Sequence, residues 1–189
     1  MLNGVRRSVQ GHRCDHATTK GEKSMTPTLR DSMQVVSDPE NLDRSVYEVF
    51  ETMLATQCRR QPSVERLNSN RGAESVTAVV GFGGILSGAC VLTCQAVAAR
   101  RIAECMAGMS FDAVDDVVKD AIGEICNMIA GTWKSKVPDL AANCGLSVPA
   151  VITGSDYDLH VQAPEFKLRH TYSFEETEFE MMIVCDGVQ

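Results

Sequence analysis

Apolar positions recur every three or four residues in three stretches of the chain and alternate more tightly in several others. In "PENLDRSVYEVFETMLATQC", Leu42, Val46, Val49, Phe50, Met53 and Leu54 share one helical face. Asp38 or Asn41 is placed to cap that helix. A polar connection over 62–72 follows. Then "ESVTAVVGFGGILSGACVLTC" carries two β-rich runs, Val76 to Phe82 and Ala89 to Cys94, with Gly83, Gly84 and Gly88 between them. That pattern predicts a hairpin. "QAVAARRIAECMAG" predicts a helix ending at Gly108, since glycine tolerates the left-handed turn that closes a helix. "FDAVDDVVKDAIGEICNMIAGTWKSK" predicts a longer helix, opened by Ser110 or Asp112, running to about Lys134 or Lys136 and ended by Pro138. Its early acids, Asp112, Asp115 and Asp116, suit the positive end of the helix dipole. The rest is strand-like: "LSVPAVITG", "HVQAPEFKLRHTYSF" and "EFEMMIVC", two of which pair around "EETE".

Residues 1–38 are polar and aperiodic and read as a flexible N-terminal tail, leaving 39–189 as the folded domain. Helix, hairpin, two helices and a closing meander predict an α+β domain. Its sheet is largely antiparallel, with the helices packed on one face.

Composition narrows the function. The chain has 189 residues, enough for one sizeable core, and its 44% apolar and 23% charged content is ordinary for a globular domain. A net charge of -7 argues against nucleic-acid binding through a basic surface. No apolar run approaches the roughly 20 residues of a membrane span, and the N-terminus lacks the apolar region of a secretory signal. The 8 cysteines form no CxxC pair and sit mostly in apolar stretches, which suggests a reduced, cytoplasmic protein. His12, Cys14 and His16 alternate within the tail, a poor setting for a metal site. No cofactor is expected in this chain.

Candidate chemistry concentrates in "DAIGEICNMIAG". On a wheel at about 100° per residue, Val114, Val117, Val118, Ala121, Ile122, Ile125, Met128 and Ile129 fall within an arc of about 140°, a core face. Asp120, Glu124, Asn127 and Gly131 form a separate stripe, with Gly123 and Ala130 flanking it. Glycine costs a helix roughly 1 kcal/mol relative to alanine, so two glycines here suggest that something approaches the helix surface. The expectation is a flat floor of Gly123, Ala130 and Gly131, open to a partner, with Glu124 and Asn127 standing above it. The bland alternative is an ordinary polar face.

The same stretch resembles the signature of the CheC/CheX/FliY family of chemotaxis phosphatases: an Asp or Ser, three residues, Glu, two residues, Asn, and a proline some twenty-odd residues on. Asp120, Glu124, Asn127 and Pro149 occupy those positions. "VTAVVGFGGILSGACVLTC" is similar to the family's first hairpin and "GLSVPAVITG" to the strand after its site helix. A single Glu-x-x-Asn pair is more like CheX than CheC. The resemblance implies a CheX-like fold and hydrolysis of the aspartyl phosphate on a CheY-type receiver domain. It implies that Asn127 holds the attacking water and that Glu124 docks a receiver lysine. Asp120, Gly123, Ala130 and Gly131 would meet the partner, with Mg2+ held by the receiver rather than by this chain. A homodimer is implied by the resemblance only. The alternative within the same family likeness is a non-enzymatic adaptor that binds a receiver or a flagellar-switch protein.

Other groups read as structural. Cys126 points away from the Glu124 and Asn127 stripe and has no nearby histidine in sequence, so it reads as a packing cysteine. Gly83 and Gly84 suit a hairpin turn better than a phosphate loop. His160 and His170 lack metal-ligand spacing with any cysteine. Trp133 reads as a partly buried anchor, or, with Lys134 and Lys136, as part of a partner surface.

Overall fold

The computed structural model describes residues 34–62, 74–155 and 164–188. The described elements are α1 (Pro39–Leu54), β1 (Cys58–Arg60), β2 (Ser75–Gly84), β3 (Leu86–Gln95), α2 (Ala96–Ala107), α3 (Asp116–Ser135), α4 (Pro138–Asn143), β4 (Cys144–Leu146), β5 (Ala150–Gly154), β6 (Phe166–Phe174) and β7 (Thr177–Val188). One seven-stranded sheet runs β1-β6-β7-β3-β2-β4, with β5 also on β2, and every pairing is antiparallel. This is the expected α+β arrangement. The hairpin β2–β3 closes as predicted, and β6 and β7 meet around Glu175 and Glu176.

Strand periodicity sorts the sheet into two faces. Val76, Ala78, Val80 and Phe82 of β2, Cys90, Leu92 and Cys94 of β3, and Phe179, Met181 and Ile183 of β7 enter the core shared with the helices. The opposite face holds a small cluster of Val91, Met182 and Val184. α1 adds Leu42, Val46, Val49 and Phe50, and Phe50 stacks on Phe179 at a centroid distance of 4.6 Å. Asp38 caps α1 by accepting from the Glu40 N–H at 3.0 Å, as one of the two expected caps. Val36 is buried in the same core, so the packed region begins before the boundary expected at Pro39. Met53, expected on the buried face of α1, is exposed. The candidate metal ligands His12, Cys14 and His16, together with His160, lie outside the described residues.

A buried polar knot joins α1 to the far edge of the sheet. Tyr172 donates to Asp43 Oδ1 at 2.7 Å, His170 Nδ1 reaches the same oxygen at 2.9 Å, and Arg60 donates to Asp43 Oδ2 at 3.0 Å. Burial holds the His170 imidazole below its usual range against the opposing pull of Asp43, and raises the Tyr172 phenol. The folded chain therefore keeps His170 neutral where the unfolded chain already takes up a proton. That contribution is complete above the unfolded value of about 6.5 and is lost as pH falls below it. Thermal unfolding between neutral pH and pH about 5 should show a falling midpoint that His170→Gln makes shallower. An unchanged slope in the variant would remove His170 from the account.

Candidate active site

The site helix α3 starts later than the sequence suggests. Asp115, not Ser110 or Asp112, is its cap and accepts from the Val118 N–H at 2.9 Å. The reason is tertiary. Arg100 of α2 donates to the carbonyls of Phe111 at 3.5 Å and Asp112 at 3.0 Å, and Phe111 is buried, so this segment is held as a loop. The helix then runs to Ser135, ahead of Pro138 as expected.

Its buried face is Val118, Ile122, Gly123, Ile125, Cys126, Ile129, Ala130 and Trp133. Each isoleucine so buried contributes about 1.5–3 kcal/mol to holding the helix on the sheet. Val117, expected in the core, is 53% exposed. The true stripe is rotated toward Cys126, Ala130 and Trp133. Cys126 is a packing residue: its thiol donates to the carbonyls of Ala78 at 3.7 Å and Cys90 at 3.6 Å, joining the helix to β2 and β3. Burial pushes the thiols of Cys94 and Cys185 up to about 12, far from nucleophilic use.

Asp120 and Glu124 are exposed, and Asn127 is half-buried between Gly123 and Gly131. Among the described residues neither Glu124 nor Asn127 makes a side-chain hydrogen bond. Their acceptor and donor atoms are therefore available to a partner or to water. Among the described residues no group of three or more His, Cys, Asp or Glu side chains could hold a metal ion.

The floor is different from the one expected. Gly123 and Ala130 are buried, so neither presents an open surface to a partner. What approaches the helix is the chain's own edge segment. A Cβ on Gly123 would meet Pro149 Cβ at 3.2 Å and Val151 Cγ2 at 3.4 Å, and one on Gly131 would meet Leu146 Cδ1 at 3.9 Å. Gly123 admits this segment close to the helix, whereas Gly131 has room for a Cβ. Gly123→Ala is expected to leave stability within about 1 kcal/mol, because the gain in helix propensity offsets the contact with Pro149. Gly123→Val is expected to cost about 1–3 kcal/mol by overpacking. Urea unfolding of the two variants separates these outcomes.

Trp133 is 0% exposed, packs on Phe82 at a centroid distance of 5.2 Å, and leaves its Nε1–H without a partner among the described residues. It is a core anchor and takes no part in a partner surface. Lys134 donates to the Ala141 carbonyl at 3.2 Å and Lys136 pairs with Glu48 at 2.5 Å, so both serve the fold's own contacts.

The expected strand "LSVPAVITG" is broken. β4 pairs with the end of β2, β5 pairs with its beginning, and Ser147, Val148 and Pro149 lie between. Pro149 inside a strand-like run was the available signal, since proline within a sheet is confined to edges and bulges.

The family profile described as Chemotaxis phosphatase CheX matches residues 76–171, more than half of the chain, and spans this helix together with β4 and β5. The chain belongs to the CheX family. It is 27% identical over 114 residues to the CheY-P phosphatase CheX of Thermotoga maritima, covering 59% of this chain and 72% of that one. Among solved structures, the CheX of Desulfovibrio desulfuricans superposes with a TM-score of 0.64 at 24% identity, over 80% of this chain and 99% of that chain. The CheX in the CheX-CheY-BeF3-Mg+2 complex from Borrelia burgdorferi superposes with a TM-score of 0.62 at 19% identity, over 79% and 98%. These two likenesses establish a CheX fold. Among the described residues no helix is long and apolar enough to cross a membrane.

Proposed function

We propose that this CheX-family protein hydrolyses the aspartyl phosphate of a CheY-type receiver domain. The observation that carries the reading is the pair Glu124 and Asn127, one turn apart on α3 and, among the described residues, without side-chain hydrogen bonds of their own. Family membership and the activity named for the Thermotoga maritima relative support it.

The chemistry asks little beyond placement. An acyl phosphate is reactive, and its transfer to water is limited by positioning and by charge stabilisation. The Asn127 carboxamide holds a water through its oxygen while its N–H2 remains a donor. The water oxygen attacks phosphorus in line, the bond from phosphorus to the aspartyl oxygen breaks, and the receiver carboxylate leaves. Inorganic phosphate and a proton are released. Glu124 accepts from a receiver lysine and sets the angle of approach. A Mg2+ held by the receiver, not by this chain, would neutralise the phosphoryl oxygens.

The test is phosphate release from a phosphorylated CheY-type receiver with Mg2+ present. Acceleration by the protein supports the reading. Binding without acceleration makes the chain an adaptor, and the absence of both, across the receivers of the same cell, overturns it.

A further inference from the structure

The break between β4 and β5 is a β-bulge. Phe82 pairs with Leu146 and Val79 with Ala150, so Ser147, Val148 and Pro149 stand opposite only Gly81 and Val80. A bulge makes room for an extra residue by re-aiming a side chain, and bulges are common beside active sites. Both ends of this one are anchored. The Ser147 N–H donates to the Gly81 carbonyl at 2.9 Å, and the Ser147 hydroxyl accepts from the Gly81 N–H at 2.9 Å and donates to the Val148 carbonyl at 2.9 Å. Pro149 is pressed against Gly123. Between these anchors the Val148 side chain is thrown outward and is 86% exposed, more than any other large apolar residue among those described.

Its place matters as much as its exposure. Leu146 lies against Gly131 and Pro149 against Gly123, and Asn127 is four residues from each glycine. Those glycines are about 12 Å apart along the helix, a distance that the extended chain from Leu146 to Pro149 nearly spans. The bulge therefore passes at the level of Asn127. On the helix wheel Asn127 lies between Gly123 and Glu124, so Glu124 is on the other side of Asn127 from the Pro149 end of that segment. A lone exposed valine needs no explanation. A valine held in water by a hydrogen-bonded bulge, beside an unengaged carboxamide, does.

The geometry points to Val148 as an apolar docking residue for the phosphorylated receiver domain, meeting an uncharged part of its surface beside the phosphorylated aspartate. The inference rests on the phosphatase reading above and names a second contact for the same site. A single exposed ion pair through Glu124 is worth little and leaves rotation free. An apolar contact across the carboxamide supplies both burial and a second fixed point.

The test is steady-state dephosphorylation at varied concentrations of phosphorylated receiver. It compares wild type, Val148→Ser, Val148→Asp and, as a control, Val97→Ser, since Val97 is exposed on α2 away from the bulge. Val148→Ser should raise KM about tenfold with kcat kept within about twofold, and Val148→Asp should raise it further. Val97→Ser should match wild type, and no melting temperature should move. A Val148→Ser variant with unchanged KM, in an assay where wild type is active, overturns the inference and leaves the phosphatase reading standing. So does a kcat loss that follows a lowered melting temperature, or an equal KM rise in Val97→Ser. Wild type without activity would instead sink the phosphatase reading and this inference with it.

Discussion

Asn127→Ala is expected to lower receiver dephosphorylation by about a hundredfold or more while leaving receiver binding nearly intact. Asn127 is half-buried in the row between Gly123 and Gly131 and has no side-chain hydrogen bond to lose among the described residues, so its truncation removes no polar contact between them. Alanine is also the better helix former, so stability should hold or rise slightly. The whole effect then falls on the reaction, because a water no longer held in line reacts from a far larger set of orientations. Binding to a phosphorylated or phosphate-mimicking receiver, measured beside phosphate release, separates the two roles. A variant that binds but does not release phosphate supports water positioning. A variant with full activity would move the positioning role elsewhere.

Trp133→Ala should act in the opposite way, on the fold and not on the reaction. The side chain is wholly buried at the end of α3 against Phe82, and its loss leaves a cavity beneath the site helix. Large-to-small changes of this kind cost about 3–5 kcal/mol, a large part of the 5–15 kcal/mol typical of a domain. Trp133→Phe should cost much less, because it keeps most of the packing and removes an N–H that has no partner among the described residues. Urea midpoints should rank wild type and Trp133→Phe well above Trp133→Ala. Activity per folded molecule should stay close to wild type in both. An Ala variant as stable as wild type would contradict the packing account.

The motif itself was legible in the chain because Asp120, Glu124 and Asn127 share a helical stripe that depends only on the 3.6-residue period. The glycine floor is met by the chain itself rather than left open to a partner, and the reason is physical. A small residue in a helix signals close approach but does not say by what. Here the neighbour is Pro149, distant in sequence and brought alongside by the pairing of β5 with β2. Trp133 was similarly ambiguous, since an amphipathic ring at a helix end suits either a core or an interface.

What the sequence by itself determined is local. It contains the extent of α1 and α2, the β2–β3 hairpin, the turn at Glu175 and Glu176, the α+β class and the Glu124 and Asn127 pair. These follow from periodicity, capping and turn chemistry, which act over a few residues. Only the tertiary structure decided the rest. Arg100 bonded to the carbonyls of Phe111 and Asp112 delays the start of α3 to Asp116. Asp43, drawn onto His170 and Tyr172, ties α1 to β6. The short elements β1, α4 and β4 are too brief for a periodic signal. The bulge that leaves Val148 exposed arises from a one-residue mismatch against β2, which becomes visible only when the two strands are paired.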